Sequence, residues 1–597
     1  MIFGRHEALS PLEEGTKAAV VYGRELAAGE RWRLRFRLRP AAEGPGDLGE
    51  GFGEVLARRR EEADEFYAAK IPAGLSEERK GIARRAYAGL IWTEQFYHYV
   101  VRDWLTGDPN SPPPPAERLE GRNSDWRHVF ARDVLSVCDK WEYPWFATWD
   151  LAFHAVAFTP IDPEFAKRQL RVFLREWYMH PNGQLPAYEW AFHDVNPPVH
   201  AWAAWRVYKM TAARGCRDRA FLEGTFQKLL LDFTWWVNRK DREGNNLFAG
   251  GFLGMDNIGL FDRSKPLPGG GHLQQADGTA WMAFYAATML SMALELARSN
   301  AVYEDLASKF FEHFLSINDA MNNVGGCGLW NEEDGFYYDH LWLDGRSVVL
   351  PVRSMVGLIP LLAVEVLEEQ ELHKLPGFYK RLTWSLRYRD QACEHITRRQ
   401  VAGETGHRRS LFSVLTRERL ERLLRRMLDE EEFLSPYGIR SLSKAHGKEP
   451  VVFRIDGEVY RVAYEPGESQ TRLFGGNSNW RGPVWFPINF LIIEALQRYH
   501  HFYGDGFRIE CPTGSGNWMN LAGVARELER RLVSIFERGP DGGRPCDGGR
   551  ERFRDDPHWK DHLWFHEFFH AETGQGLGAS HQTGWTALVV KLLGTGG

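Results

Sequence analysis

Asp256 stands in a glycine-rich, apolar stretch, Gly250-Gly251-Phe252-Leu253-Gly254-Met255-Asp256-Asn257. Glycines let a backbone approach a ligand closely, and apolar neighbours raise a carboxyl pKa, as a general acid requires. A turn aspartate that caps its own loop is the plainer alternative. A second carboxyl sits in His566-Glu567-Phe568-Phe569-His570. This matches H-E-x-x-H, in which two histidines one helical turn apart bind zinc and the Glu activates water. The longer zincin form fails, because Thr573 holds its Gly position and Gly576 its third His position. Glycoside hydrolysis is the other chemistry that uses such carboxyls. It needs two of them flanking the scissile bond, inside a polar-aromatic cage.

Two further stretches fit such a cage. Trp149-Asp150 with His154 puts Asp150 and His154 at i,i+4 on one helix face. There Trp149 can stack on a sugar and Asp150 can grip hydroxyls; an Asp–His hydrogen bond beside a core Trp is the alternative. Asn477-Ser478-Asn479-Trp480-Arg481-Gly482-Pro483-Val484-Trp485 is dense in donors and aromatics just before an apolar helix, and reads as a cleft wall. By contrast, Arg417 to Arg426 is a solvated helix face. The aromatic excess, 23 Trp, 20 Tyr and 37 Phe, suits a sugar-binding cleft.

The elements that must position these residues are mostly helices. Amphipathic or apolar stretches recur at 52–70, 76–105, 145–158, 163–178, 198–213, 218–238, 277–298, 302–320, 353–370, 376–389, 411–428, 484–503, 519–537 and 583–594. Trp281 to Ala297 and Pro487 to Leu496 are apolar on more than one side, as inner helices are. A toroid of two concentric helical rings follows, with loops such as 109–122 and 244–268 at its end, and a hairpin within 447–472. The N-terminus differs. Strict alternation over Arg31 to Arg39 predicts a strand facing Trp32, Leu34, Phe36 and Leu38 to one side, with Lys17 to Tyr22 as partner. The domains expected are a β remnant at 1–40, a linker at 41–51 and a helical domain at 52–597.

Composition narrows the partners. Formal charge is 74 − 80 = −6 with no long block of one sign, which argues against nucleic acid and a polybasic membrane anchor. No apolar run is expected to span a membrane, which takes about 20 residues. Met1 to Gly15 lacks the basic start and apolar stretch of a secretory signal. Six scattered cysteines without a C-x-x-C pair fit a reducing cytoplasm and no Cys-type metal site. The reading is an enzyme without cofactor or metal, whose partner is a carbohydrate. A zinc peptidase using His566, Glu567 and His570, or a non-catalytic carbohydrate-binding protein, are the alternatives.

Taken together, these stretches resemble glycoside hydrolase family 63, the processing α-glucosidase I family, with its trehalase-like relatives. The resemblance rests on W-D-x-x-F-H at Trp149 to His154, G-M-D-N at Gly254 to Asn257, and W-R-G-P-V-W at Trp480 to Trp485. It also rests on Glu567 to Gly578, followed by Thr583-Gly584-Trp585. It implies an (α/α)6 barrel preceded by the tail of a β-sandwich. It implies an inverting α-glycosidase with Asp256 as general acid and Glu567 as general base. Trp149, Asp150, His154, Asn257, Asn479, Trp480, Arg481, Trp485 and Trp585 are the implied sugar contacts. The base motif departs from the family where His570 follows Phe569 in place of Tyr followed by Asp, and the sugar stays open between glucose and mannose.

Overall fold

The computed structural model describes residues 19–597, apart from 45, 47, 110, 111, 122, 125, 189–193, 242, 243, 245, 249, 250, 325–327, 389–395, 401–407, 472, 474–477 and 595–597. Gly250, Asn477, Cys327, Cys393 and the first two residues of the strand expected at 17–22 lie outside the described residues. The chain divides into two units, residues 1–69 and 70–597.

In the first unit, helix α1 begins at Glu50 and runs to Lys70. No strand forms among the described residues between 19 and 40, so the expected β remnant is not found there. Leu34, Phe36 and Leu38 are exposed, and Tyr22 meets Trp32 and Phe36 edge-on. Alternation decides which face a residue occupies, but a ladder needs a partner, and two strands alone are marginal in water.

The second unit is mainly helical. Helix α2 (Glu77–Trp92) starts at Ser76, whose hydroxyl accepts the Arg79 N–H, with two acids in the first turn. It stops at Trp92, where the sequence had suggested a helix to 105. Instead β1 (Glu94–Val100) pairs antiparallel with β2 (Phe130–Ser136). Here a period of two wins: Tyr97 and Tyr99 pack inward while Phe96 and His98 face out. Helices α3 (Thr148–Phe158), α4 (Pro163–Val172), α5 (His200–Met210) and α6 (Arg219–Val237) follow. Next come α7 (Ala276–Ala297) and α8 (Val302–Asn323), which pack along one another.

Two more helical expectations are corrected. The stretch 353–370 is a 3-10 segment, Met355–Leu362, running into β3 (Val364–Glu368). The stretch 411–428 begins as a strand. After α9 (Pro376–Tyr388) come β4 (Ile396–Gln400) and β5 (Arg408–Ser413), and β5 is the centre of a three-stranded sheet with β3 and β4. Only then does α10 (Arg417–Met427) begin. Short apolar runs read alike as helix or buried strand. The expected hairpin is present as β6 (Val451–Ile455) and β7 (Glu458–Val462). Helices α11 (Phe486–Tyr503) and α12 (Leu521–Ser534) pack together.

Every residue of α3 is buried. Helix α7 has the length and hydropathy of a membrane span, against expectation, but 94% of that window is buried inside the protein. These all-round apolar helices form the core, and amphipathic α4, α8, α10 and α12 keep a polar face.

Candidate active site

The acid-bearing loop, 251–263, is pinned at three places. Gln275 donates to the Gly251 carbonyl at 2.8 Å and accepts the Gly251 N–H at 2.9 Å. Arg263 makes a bidentate pair with Asp277 at 2.7 and 3.2 Å, in the first turn of α7, and reaches Asp339 at 3.0 Å. Arg481 donates to the carbonyls of Asn257 at 2.6 Å and Gly259 at 3.0 Å. Between these anchors Gly254 adopts φ +74°, and a Cβ there would lie 2.9 Å from Pro197 and 3.1 Å from the Trp149 ring. The close approach of this loop to Trp149 therefore needs glycine.

Glu567 arrives from the other end of the chain. It precedes β8 (Phe568–Phe569), which pairs with β9 (Gly576–Leu577) and bridges to Val484. This backbone is extended, so His566 and His570 are not one helical turn apart and the H-E-x-x-H geometry is missing. The His570 imidazole is engaged locally, its Nδ1 accepting the Glu572 N–H at 3.1 Å. Glu567 Oε2 accepts the Ala579 N–H at 3.1 Å and the Tyr143 hydroxyl at 3.4 Å, and Oε1 accepts the Ser478 hydroxyl at 3.0 Å. Gly578, at φ +67°, packs so closely that a Cβ would stand 2.5 Å from Glu567 Oε2.

Asp256 and Glu567 line one cavity of about 100 Å³ together with Trp149, Asp150, Trp480, Trp485 and Trp585. Trp480 and Trp485 stack at 3.9 Å, and Trp485 stacks in turn on Phe568 at 4.6 Å. Trp149 and Trp485 each meet Trp585 edge-on, at 5.6 and 5.7 Å. Their indole N–H groups are used inward: Trp485 donates to the Asn479 carbonyl at 2.9 Å, and Trp585 to the Glu567 carbonyl at 3.0 Å. The wall is apolar and braced.

Three carboxyls share this space. Burial, then the charge of Glu567, pushes Asp256 up to about 8. Burial raises Asp150 to about 8, with Glu567 and Asp256 adding to it against a hydrogen bond from Cys138. Burial raises Glu567 less, to about 7, because the Ala579 N–H and the Ser478 hydroxyl stabilise its ionised form. Near neutrality, then, Asp256 holds a proton in conditions where Glu567 starts to lose one.

The remaining expected contacts stand behind the wall. Asn257 accepts the Trp480 N–H at 2.7 Å and donates to Asn479 at 3.2 Å and Ser469 at 3.1 Å. Asn479 donates to the carbonyls of Glu465 at 2.8 Å and Gly467 at 2.7 Å, and accepts the Arg481 N–H at 2.9 Å. Asn257, Asn479 and Arg481 thus hold the acid loop against the tryptophan segment with their polar atoms on protein partners. His154 is buried and bonded to Ser136 at 2.9 Å, and burial lowers its pKa to about 3, so it is neutral. Asp150 pairs with Gln582 at 3.2 Å and not with His154. Cavity residues outside the expected set are Cys138, Tyr143, Trp145, Ala147, Tyr188, Gly254, Ser478 and Gln582. The alternation Trp141-x-Tyr143-x-Trp145 was the available signal for two of them.

The family model for the mannosylglycerate hydrolase MGH1-like glycoside hydrolase domain matches residues 143–377 and 387–586. The chain is 50% identical over 617 residues to "Uncharacterized protein YMR196W" of Saccharomyces cerevisiae, which covers 99% of this chain and 57% of that protein. It is 31% identical over 178 residues to the probable mannosyl-oligosaccharide glucosidase of Schizosaccharomyces pombe, covering 29% of this chain and 15% of that one. The chain therefore spans little more than half of the first of these curated relatives and a small part of the second. Among solved structures, the GH63 mannosylglycerate hydrolase from Thermus thermophilus in complex with Tris and D-glycerate is 16% identical with a TM-score of 0.46. That match covers 76% of this chain and 95% of the hydrolase. Because the family model matches well over half of its length, the chain belongs to the mannosylglycerate hydrolase MGH1-like family of glycoside hydrolases.

Proposed function

We propose that this protein is an inverting α-glycosidase that removes a terminal glucose or mannose from a glycoside or short oligosaccharide. Its helical unit is read as an (α/α)6 toroid, because buried helices such as α3 and α7 alternate with amphipathic ones. The observation that carries the reading is the pair of buried carboxyls, Asp256 and Glu567, in one tryptophan-walled cavity. Asp256, protonated near pH 7, gives its proton to the glycosidic oxygen as the bond to the anomeric carbon breaks. Glu567 takes a proton from the water that attacks that carbon from the opposite face. Trp149, Trp480, Trp485 and Trp585 wall the sugar ring, and Asp150 with Gln582 receives its hydroxyls. A relative named for mannosyl-oligosaccharides and a family model named for mannosylglycerate bracket the substrate class. The four free cysteines among the described residues support action in a reducing compartment, the cytoplasm.

Proton NMR of fresh digests tests this. An α-linked substrate should release the β-anomer first, before mutarotation mixes the products. Asp256→Asn and Glu567→Gln should each remove most activity while the fold persists, since both keep shape and lose proton transfer. Initial release of the α-anomer would overturn the inverting mechanism.

A further inference from the structure

The loop that lines the cavity with Tyr143 and Trp145 also carries an exposed aromatic, Trp141. Every second residue along 143–147, namely Tyr143, Trp145 and Ala147, lines the cavity. The same alternation makes Trp141 the next step outward. Trp141 is 74% exposed and yet anchored, for its own N–H and that of Glu142 donate to Asp139 Oδ1 at 2.6 and 2.7 Å. Its ring lies 6.5 Å from His581, the residue directly before cavity-lining Gln582. From His581 the aromatic surface passes to Trp564 at 5.3 Å and then to Trp559, stacked on Trp564 at 6.4 Å. The residue before Trp141 in the chain, Lys140, holds its ammonium 3.8 Å from the centre of the Trp92 ring. Trp92 is 71% exposed, and Trp92 and Trp141 are the two most exposed tryptophans among the described residues.

Indole left in water forfeits the largest apolar burial any side chain offers, so an anchored, exposed tryptophan beside a cavity needs a reason. Sugar rings supply one, because their C–H faces stack on indole while their hydroxyls stay wet. We propose that Trp141, His581, Trp564 and Trp559, with Trp92 across Lys140, form a stacking platform for the leaving-group side of an α-linked oligosaccharide. The direction of the chain rests on the glycosidase reading; the stacking does not. Such a platform suits a substrate that extends several sugar units past the cleaved bond. A glycosyl-glycerate has no ring to lay on it.

The test uses the full chain and two probes, maltoheptaose and an α-1,2-linked mannotetraose, against p-nitrophenyl α-glucoside and α-mannoside as short substrates. In the Glu567→Gln background, titration with at least one oligosaccharide should change tryptophan fluorescence, and Trp141→Ala should abolish most of that change. In the active enzyme Trp141→Ala and Trp92→Ala should raise KM for the oligosaccharide about three- to tenfold, as the loss of one aromatic contact does. In these variants kcat and the short substrates should be unaffected, and Trp141→Tyr should restore the KM. Hydrolysis of short glycosides with unchanged oligosaccharide KM in Trp141→Ala would overturn the platform and leave the glycosidase reading intact. An equal loss on short and long substrates, or binding of neither oligosaccharide, would also overturn it. Fluorescence binding that depends on Trp141, without hydrolysis of any probe by the wild-type chain, would sustain the platform and overturn the glycosidase reading.

Discussion

The side-chain amide of Asn257 donates to Oδ1 of Asn479 at 3.2 Å, joining the residue after the proposed acid to the residue before Trp480. Both asparagines are buried, and both have their remaining polar groups occupied by protein atoms. This contact fixes how the acid faces the tryptophan wall.

Removing either partner should loosen the acid as well as the fold. Asn479→Ala leaves two half-buried carbonyls and the buried Arg481 N–H without their side-chain partner, and should cost about 3 kcal/mol of stability. Asn257→Ala should behave alike. The double variant should cost clearly less than the sum, because each single change already breaks the shared bond. Denaturant unfolding of the three variants measures this; strict additivity would mean the two residues act independently.

Rate against pH should trace a bell. On the acid side activity falls as Glu567, raised by burial to about 7, takes up its proton. On the alkaline side it falls as Asp256, raised by burial and by Glu567 to about 8, loses its own. The limbs belong to the coupled pair. Ser478→Ala removes a hydroxyl that favours the charged form of both groups, so both limbs should move to higher pH. Ser478→Thr should keep them in place. A profile of kcat/KM for each variant decides the matter, and an acid limb that moves downward in Ser478→Ala contradicts the assignment.

The sequence and the structure diverge where polar residues look alike. Trp480 and Trp485 are legible as a wall because two indoles beside Arg481 are more than a plain helix entrance requires, whereas Trp149 fits a core equally well and Trp585 is reached only through the family resemblance. Asn257, Asn479 and Arg481 belong to the same vocabulary, yet they serve the loop. A buried loop must pair its own carbonyls and N–H groups, and nothing in a string of residues separates a donor turned inward from one offered to a ligand. Asp256 and Glu567 were legible only through the family resemblance, since their local sequences also fit a turn and a zinc motif. For the fold, α3 and α7 could be read because they are apolar all round. The strands at 94–100, 364–368 and 408–413 could not, because runs of five to seven residues carry too little periodicity to tell strand from helix.

The carboxyl cluster should weaken the fold at neutral pH. A folded-state pKa of about 8 for Asp256 lies far above the unfolded value of about 3.9, so the folded protein holds a proton that the unfolded chain releases. Stability from this group is undiminished below about pH 4 and declines as pH rises towards 8. Asp256→Asn removes the ionisation, so its melting temperature should exceed that of the wild type at pH 8 and match it near pH 4. Thermal melts at both values check this, and a lower melting temperature at pH 8 would show that the Asp256 charge stabilises the fold.

Gly578 offers the sharpest test of how Glu567 is held. At φ +67° an L side chain is strained, and the added methyl would also meet Glu567 Oε2 at 2.5 Å, the Phe568 ring at 2.7 Å and Glu567 Cβ at 2.9 Å. Backbone on the other side does not yield, because the Glu567 N–H donates to the Ala579 carbonyl at 3.0 Å. The carboxylate must therefore swing away from Ala579 in Gly578→Ala, losing the hydrogen bond that holds its pKa near 7. Without the Ala579 N–H, Glu567 should titrate higher, so the acid limb of the rate profile should rise and kcat at pH 7 should fall at least tenfold. The strained backbone should cost about 1–3 kcal/mol of stability, too little to unfold a domain of this size. Gly578→Ala placed on top of Glu567→Gln should lower activity little further if the methyl acts through the base. A double variant much worse than either single change would mean that Gly578 supports the site by another route.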